Sequence, residues 1–170
     1  MWNDTDTPLA VFFTFRCYGT WLHGDERSSV RRNGNNRFGG PKVTPSVPLK
    51  EAMLDARSQS AFMVDAEQRE CVRATIIGVC EFRSYPLRAI NVRTNHVHAV
   101  VSAAVKPEKI VNDLKVYSTR WLRAERLCGV EQKVWSRGSS TRYLWKPHHV
   151  EGAVDYVLYC QEDIPFEFRD

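Results

Sequence analysis

The sequence lacks the features that define several large classes of protein. No apolar run approaches the roughly 20 residues that a membrane-spanning helix needs, so we expect no integral membrane protein. The acidic start, Met-Trp-Asn-Asp-Thr-Asp, has neither the basic region nor the apolar region of a signal peptide, which predicts a cytoplasmic protein. The sequence also contains no internal repeat and no low-complexity tract.

Cysteine pairs of the Cys-x-x-Cys kind are absent as well. The chain has five cysteines, an odd number, at Cys17, Cys71, Cys80, Cys128 and Cys160. This spacing fits neither a disulfide framework nor a zinc knuckle, and it is typical of reduced thiols in a cytosolic protein.

The composition predicts one soluble globular domain that covers residues 1–170. A hydrophobic fraction of 43% and a charged fraction of 26% exclude a chain that is disordered throughout. The net charge of +4 mildly favours binding to polyanionic partners, but by itself this charge is a weak signal.

The pattern of apolar residues predicts an α+β protein. Leu9–Cys17 is a nearly continuous aromatic and β-branched run, typical of a buried strand, and Asp65 with Gln68 predicts a capped helix start. Further strands are predicted at 87–92, 96–103 and 141–145, and further helices at 49–60, 107–127 and after Pro147. This order is the ferredoxin-like β-α-β-β-α-β pattern, an antiparallel sheet with helices on one face, to which a C-terminal helix is added.

A long basic loop is predicted at about residues 24–50. It has almost no apolar periodicity and carries Arg31, Arg32, Arg37 and Lys42. A loop of this length is either functional or mobile, so a nucleic-acid contact and a solvated insertion both remain open.

The helix predicted at 107–127 has two contrasting faces. Its predicted core stripe is Ile110, Leu114, Tyr117 and Trp121, and Gly129 is predicted to end the helix. A basic stripe runs nearly opposite and contains Lys115, Thr119, Arg123 and Arg126, with Arg120 nearby. Such a stripe is either a solvated helix face or a surface that contacts nucleic-acid phosphates.

The stretch Asn91–Ala103 carries the strongest signal for chemistry. In an extended strand His96 and His98 share one face with Val100 and Ser102, because side chains alternate across a strand. Two imidazoles at this spacing can bind one divalent ion if a third ligand arrives from another element. A strand with two half-exposed histidines that bind nothing is the alternative.

The last helix offers two tyrosines, Tyr156 and Tyr159, with Gln161 just beyond. A tyrosine becomes an effective nucleophile when its proton is removed or its target is polarised, and an ion that holds a phosphate oxygen does the latter. An amide oxygen beside two imidazoles favours Mg²⁺ or Mn²⁺ over a tight zinc site. Simple core packing of the tyrosines remains the alternative.

Nearly all of residues 9–161 resembles the single-tyrosine HUH transposases of bacterial insertion sequences and their REP-associated relatives. The most specific matching stretch is Asn95-His-Val-His98, and its position before a late tyrosine and glutamine adds to the resemblance. The other matching stretches are Phe12-Phe-Thr-Phe, Tyr18-Gly-Thr-Trp-Leu-His-Gly-Asp, Val111-Asn-Asp-Leu-Lys-Val-Tyr-Ser-Thr-Arg, Trp135-Ser-Arg-Gly-Ser-Ser-Thr-Arg-Tyr-Leu-Trp and Tyr156-Val-Leu-Tyr-Cys-Gln161.

The resemblance implies an enzyme that cuts and rejoins single-stranded DNA at hairpin-flanked ends. It implies that His96 and His98 bind Mg²⁺ or Mn²⁺ and that Gln161 is the third ligand. Tyr156 then corresponds to the nucleophile, which leaves a free 3′-OH and a 5′-phosphotyrosine. A homodimer is compatible with the resemblance, because insertion-sequence relatives form dimers.

One spacing departs from the family pattern. Insertion-sequence members have the tyrosine and glutamine four residues apart, whereas Tyr156 and Gln161 are five apart, which rotates Gln161 off the Tyr156 face of an ideal helix. Either the end of the helix unwinds or forms a wide turn, or Tyr159 has a larger part in the chemistry.

DNA recognition is expected to use basic and aromatic side chains. Candidates for phosphate contacts are Arg16, Lys115, Arg120, Arg123 and the loop from Arg31 to Lys42, and Tyr18 or Trp21 is a candidate for stacking on an unpaired base. Two other functions stay open: a domesticated DNA-binding module that has lost cleavage, and a metal-dependent hydrolase of small molecules. The hydrolase would need an enclosed apolar pocket, for which the sequence has no signature.

Overall fold

The computed structural model describes residues 7–26 and 42–160. The strands in this part of the chain are β1 (Ala10–Arg16), β2 (Leu87–Val92), β3 (His96–Val101) and β4 (Ser140–Leu144). The helices are α1 (Val47–Asp55), α2 (Ala66–Arg83), α3 (Pro107–Ala124) and α4 (Pro147–Tyr159). Among the described residues, no helix is long and apolar enough to cross a membrane.

Strand β1 is the centre of the fold. Its apolar sequence lets it sit between two neighbours, and it pairs antiparallel with β3 on one side and with β4 on the other. Strand β2 pairs antiparallel with β3, so the sheet has the order β2-β3-β1-β4. This order confirms the predicted ferredoxin-like α+β fold, in which the two central strands come from the two halves of the pattern.

Local sequence sets the start of α2 as predicted. The carboxylate of Asp65 accepts a hydrogen bond from the Gln68 backbone N–H at 2.8 Å, and Gln68 Oε1 accepts from the Asp65 N–H at 2.8 Å. This capping box satisfies two N–H groups that the first turn of a helix leaves without partners. The helix ends at Ser84, which adopts a left-handed conformation with φ of 56°.

One face of the sheet forms the main core with α2 and α3. The sheet contributes fully buried side chains that alternate along the strands, and the two helices contribute one apolar stripe each. The largest members are Phe13, Phe15 and Val97 from the sheet, and Ile76, Ile110, Leu114 and Leu122 from the helices.

The predicted core stripe of α3 is right at its start and wrong at its end. Ile110 and Leu114 are fully buried, but Trp121 is 51% exposed and Tyr117 is only partly buried. Ser118 and Leu122 take the core positions instead, at 0% exposure. The stripe follows four-residue steps along the helix, and this register, not the size of the aromatic rings, decides which side chains face the sheet.

Helix α3 also ends earlier than predicted. Its last residue is Ala124, and Arg126, not Gly129, adopts the left-handed conformation, with φ of 59°. The Leu127 N–H donates to Leu122 O at 2.8 Å, and the Arg126 N–H donates to Arg123 O at 3.0 Å. This is the Schellman pattern, in which the two bonds close the helix even though the left-handed residue is an arginine.

The other face of the sheet is divided into an apolar half and a polar half. Helix α4 covers the apolar half, where Ala153 and Val157 pack on Phe12, Val100 and Leu144. The rest of this face lies toward the β2–β3 turn. It carries Thr14, Arg16, His96 and His98, which the pairing of β1 with β3 puts on one surface.

The predicted basic stripe of α3 is partly covered by the segment that leads to β4. Lys115 Nζ donates to Ser136 O at 2.9 Å and also to Gly138 O, and Trp135 Nε1 donates to Lys115 O at 3.2 Å. Arg123 makes a longer contact with Gln132 O, at 3.4 Å. Lys115 therefore holds this segment in place, whereas Arg120 is exposed.

We predict that Lys115→Met lowers the stability of the protein. It would leave two backbone carbonyls without their charged donor, which costs about 1–3 kcal/mol of unfolding free energy. The matched control Arg120→Met removes an exposed cation from the same helix and should change stability by no more than about 0.5 kcal/mol. Urea unfolding measures both variants, and equal midpoints would contradict this role of Lys115.

Candidate active site

The two histidines of β3 converge at their Nε2 atoms. His96 and His98 stand on the same face of the strand, and their Nε2 atoms are 3.0 Å apart. Across the β1–β3 pairing, Arg16 lies opposite His96 and Thr14 lies opposite His98. The predicted pairing of the two imidazoles is therefore present, and β1 supplies a neighbour for each of them.

A directional chain of hydrogen bonds runs through the pair. Asn95 Oδ1 is an acceptor, so the 2.6 Å contact requires a hydrogen on His96 Nδ1. In neutral His96 the Nε2 atom then has a lone pair, which accepts a hydrogen from His98 Nε2. His98 Nδ1 is left to accept from the Thr14 hydroxyl, at 2.8 Å.

The geometry fits a divalent ion between the two Nε2 atoms. Two nitrogens that bind one ion at about 2.1 Å and at a right angle are about 3.0 Å apart, as these are. Binding requires His98 to carry its proton on Nδ1 instead of Nε2. The Thr14 hydroxyl can turn from donor to acceptor, so the same contact supports both tautomers.

The electrostatic surroundings keep His98 neutral. Burial lowers the pKa of His98 to about 3, and the nearby positive charge on His96, Arg16 and Arg93 contributes in the same direction. Only a neutral imidazole offers a lone pair to a metal, so at neutral pH His98 needs no loss of a proton, only the change of tautomer, to bind an ion.

A third imidazole, thiol or carboxylate ligand is not found among the residues that the structure describes. Within residues 7–26 and 42–160, no group of three or more His, Cys, Asp or Glu side chains could hold an ion. The predicted third ligand, Gln161, follows the last described residue and lies outside this part of the chain.

Tyr156 contacts His98, and Tyr159 is largely exposed. The ring centroid of Tyr156 is 5.6 Å from that of His98 and 5.9 Å from that of Phe12. Tyr159 is 76% exposed. Of the two tyrosines, Tyr156 is therefore the one placed to act at the histidine pair.

The end of α4 bears on the unusual spacing of Tyr156 and Gln161. The helix ends at Tyr159, and Cys160 has non-helical angles, with φ of −95° and ψ of 76°. Gln161 itself lies outside the described residues, so the choice between the predicted alternatives stays a prediction.

The candidate DNA-binding residues differ in their surroundings. Arg16 lies beside the histidines and stacks on Trp21, with Cζ 3.4 Å from the ring centroid. Tyr18 is held by Ser58, through a hydroxyl contact of 3.3 Å, and by Lys133 over its ring.

DNA contacts by the basic candidates stay a prediction. Of the loop, Lys42 is exposed, and Arg31, Arg32 and Arg37 lie outside the described residues.

Two residues of the site were not predicted from the sequence. Thr14 contacts His98, and Asn91 lies opposite His98 in the β2–β3 pairing and bonds to α4. Both belong to strands that were predicted. Their relation to His98 depends on strand order and register, which a single strand's sequence does not reveal.

We predict different tautomers for the two histidines when the protein is kept in a metal chelator. Long-range ¹H–¹⁵N spectra at neutral pH should show His96 with its proton on Nδ1 and His98 with its proton on Nε2. Thr14→Val removes the donor to His98 Nδ1 and should give a mixture of tautomers at His98. Thr141→Val, on the opposite face of the sheet, should not. A wild-type His98 protonated on Nδ1 would contradict the proposed chain of bonds.

Comparison with known proteins gives one family. The family described as transposase IS200 like matches residues 53–155, which is more than half of the 170 residues. The match contains β2, β3, α3, β4 and all but the last turn of α4. No curated protein matches the chain.

A solved structure of a REP-associated tyrosine transposase bound to a REP hairpin is similar to this one. The two share 15% sequence identity with a TM-score of 0.49, and the match covers 89% of this chain and 65% of that one. The chain thus spans less than two thirds of the length of that protein. On the family match, with the paired histidines inside it, the chain belongs to the family of IS200-like, single-tyrosine HUH transposases.

Proposed function

We propose that the protein is a metal-dependent single-stranded DNA transesterase, a transposase that nicks and rejoins DNA through a phosphotyrosine. The observation that carries the proposal is the contact of the Tyr156 ring with the ring of His98, whose Nε2 atom lies 3.0 Å from that of His96. Membership of the transposase family supports a reaction on DNA. All three side chains come from one chain, so a second copy is not required to bring them together.

The proposed reaction is a balanced exchange of one ester for another. The phenol of Tyr156 gives up its proton as its oxygen forms a bond to the phosphorus of a phosphodiester, and the bond from phosphorus to the 3′ oxygen breaks. The leaving 3′ oxygen takes up a proton, and the 5′ side stays on the tyrosine as a phosphotyrosine. Attack by another 3′-OH reverses these steps and rejoins DNA, with no external energy source.

A divalent ion, Mg²⁺ or Mn²⁺, completes the proposed site. His96 and His98 would hold it, with Gln161 as the proposed third ligand, and when bound it would polarise a phosphate oxygen and so ease attack on phosphorus. The remaining roles, orientation of the imidazoles and packing of the tyrosine, belong to side chains of the protein. Asn95 and Thr14 orient the imidazoles, and Phe12 packs against the edge of the Tyr156 ring.

The proposed substrate is single-stranded DNA next to a hairpin. Arg16 is the basic residue best placed near the reacting phosphate, because its strand position lies opposite His96. Its guanidinium stacks on the ring of Trp21, and arginine is a common partner of phosphate groups. A homodimer and a cytoplasmic location stay predictions.

The first test is formation of a covalent protein–DNA adduct. We expect labelled single-stranded DNA from the flanks of the gene, with Mn²⁺ or Mg²⁺, to give an adduct that survives a denaturing gel. Tyr156→Phe should abolish the adduct because it lacks the nucleophilic oxygen. Tyr159→Phe, three residues along the same helix and exposed, is the matched control and should retain it.

Two results would change the assignment. An adduct that persists in Tyr156→Phe would place the nucleophile elsewhere. Tight binding of the flanks without any adduct would replace the transesterase with a DNA-binding module that has lost cleavage.

A further inference from the structure

Asn91 connects the histidine strand to the helix that carries Tyr156. It lies on β2 directly opposite His98 of β3, so its side chain is on the histidine face of the sheet. Its Nδ2 donates a hydrogen bond to Val157 O at 3.0 Å. Val157 is the residue after Tyr156.

The accepting carbonyl belongs to the last turn of α4. The carbonyls in the last turn of a helix can accept hydrogen bonds from groups outside the helix. In α4, Tyr156 O accepts from the Cys160 N–H at 3.1 Å, and the last turn contains no basic side chain. The bond from Asn91 thus attaches the last turn of α4 to the neighbouring strand.

The helix depends on such attachments for its position. A helix of 13 residues is marginal by itself, and α4 has no side-chain cap at its start. Its buried contacts, Ala153 and Val157, are apolar and small, and apolar contacts are not directional. The bond from Asn91 is directional, so it restricts sliding and rotation of the last turn, where Tyr156 stands.

We propose that Asn91 is a positioning residue for the nucleophile: it fixes Tyr156 with respect to His98 by attaching the last turn of α4 to the adjacent strand. The expected effect on the reaction rate rests on the proposed function. The expected effect on the position of Tyr156 rests on the structure alone. A displacement of about 1 Å of a reacting group can cost up to about 100-fold in rate, so one hydrogen bond can matter to the reaction.

The kinetic test uses Asn91→Leu, which has a similar volume and no donor. At saturating DNA and Mn²⁺, we expect the rate of adduct formation to fall about 10- to 100-fold. The half-saturating concentrations of DNA and of Mn²⁺ should stay within about twofold, because Asn91 is proposed to contact neither. The matched control is the same change at an exposed position on α3, Asn112→Leu, which should keep the wild-type rate.

The geometric test does not need activity. In protein labelled with 3-fluorotyrosine, the ¹⁹F resonance of Tyr156 is assigned by its loss in Tyr156→Phe. Without DNA, we expect Asn91→Leu to shift or broaden this resonance, and Asn112→Leu to leave it unchanged. Should Asn91→Leu fail to fold, Asn91→Ala, which also removes the donor, is measured in the same way.

These readouts separate the two proposals. An unchanged adduct rate together with an unchanged Tyr156 resonance would overturn the positioning role of Asn91. If the wild-type protein forms no adduct, the transesterase proposal fails, and the ¹⁹F spectrum alone then decides whether Asn91 sets the position of the tyrosine.

Discussion

The antiparallel pairing of β1 with β3 is the constraint on which the candidate site depends. It places Thr14 opposite His98 and Arg16 opposite His96, and it buries Phe13 and Val97 on the other face. A slip of one residue would turn both histidines toward the core and expose the apolar residues, so burial of that core holds the register. The stability of the main core and the geometry of the imidazoles are therefore set by the same pairing.

The second requirement is that α4 covers only half of the opposite face. Its apolar contacts with Phe12 and Val100 secure the helix, while the polar half of the face carries the residues of the proposed site. Tyr156 lies at the boundary, with its ring against Phe12 on one side and His98 on the other. Packing thus holds Tyr156, the proposed nucleophile, next to the histidine pair.

The sequence predicted the individual helices and strands better than it predicted which residues they bring into contact. Alternation and the capping box predicted β3 and α2, because these signals are local. The stripe of α3 was misjudged at Trp121, where helix register, not residue type, decides burial. Thr14 and Asn91 were missed because their roles arise from strand order, and the choice between Tyr156 and Tyr159 required the packing of α4.

The proposed reaction requires His96 and His98 to bind one divalent ion through their Nε2 atoms. The most direct measurement is pulsed electron paramagnetic resonance of Mn²⁺ bound to the protein, which detects coupling to nitrogen ligands. We expect coupling to two imidazole nitrogens in the wild type, and to no more than one in His96→Ala or His98→Ala. Mn²⁺ that binds the wild type with no nitrogen coupling would contradict it.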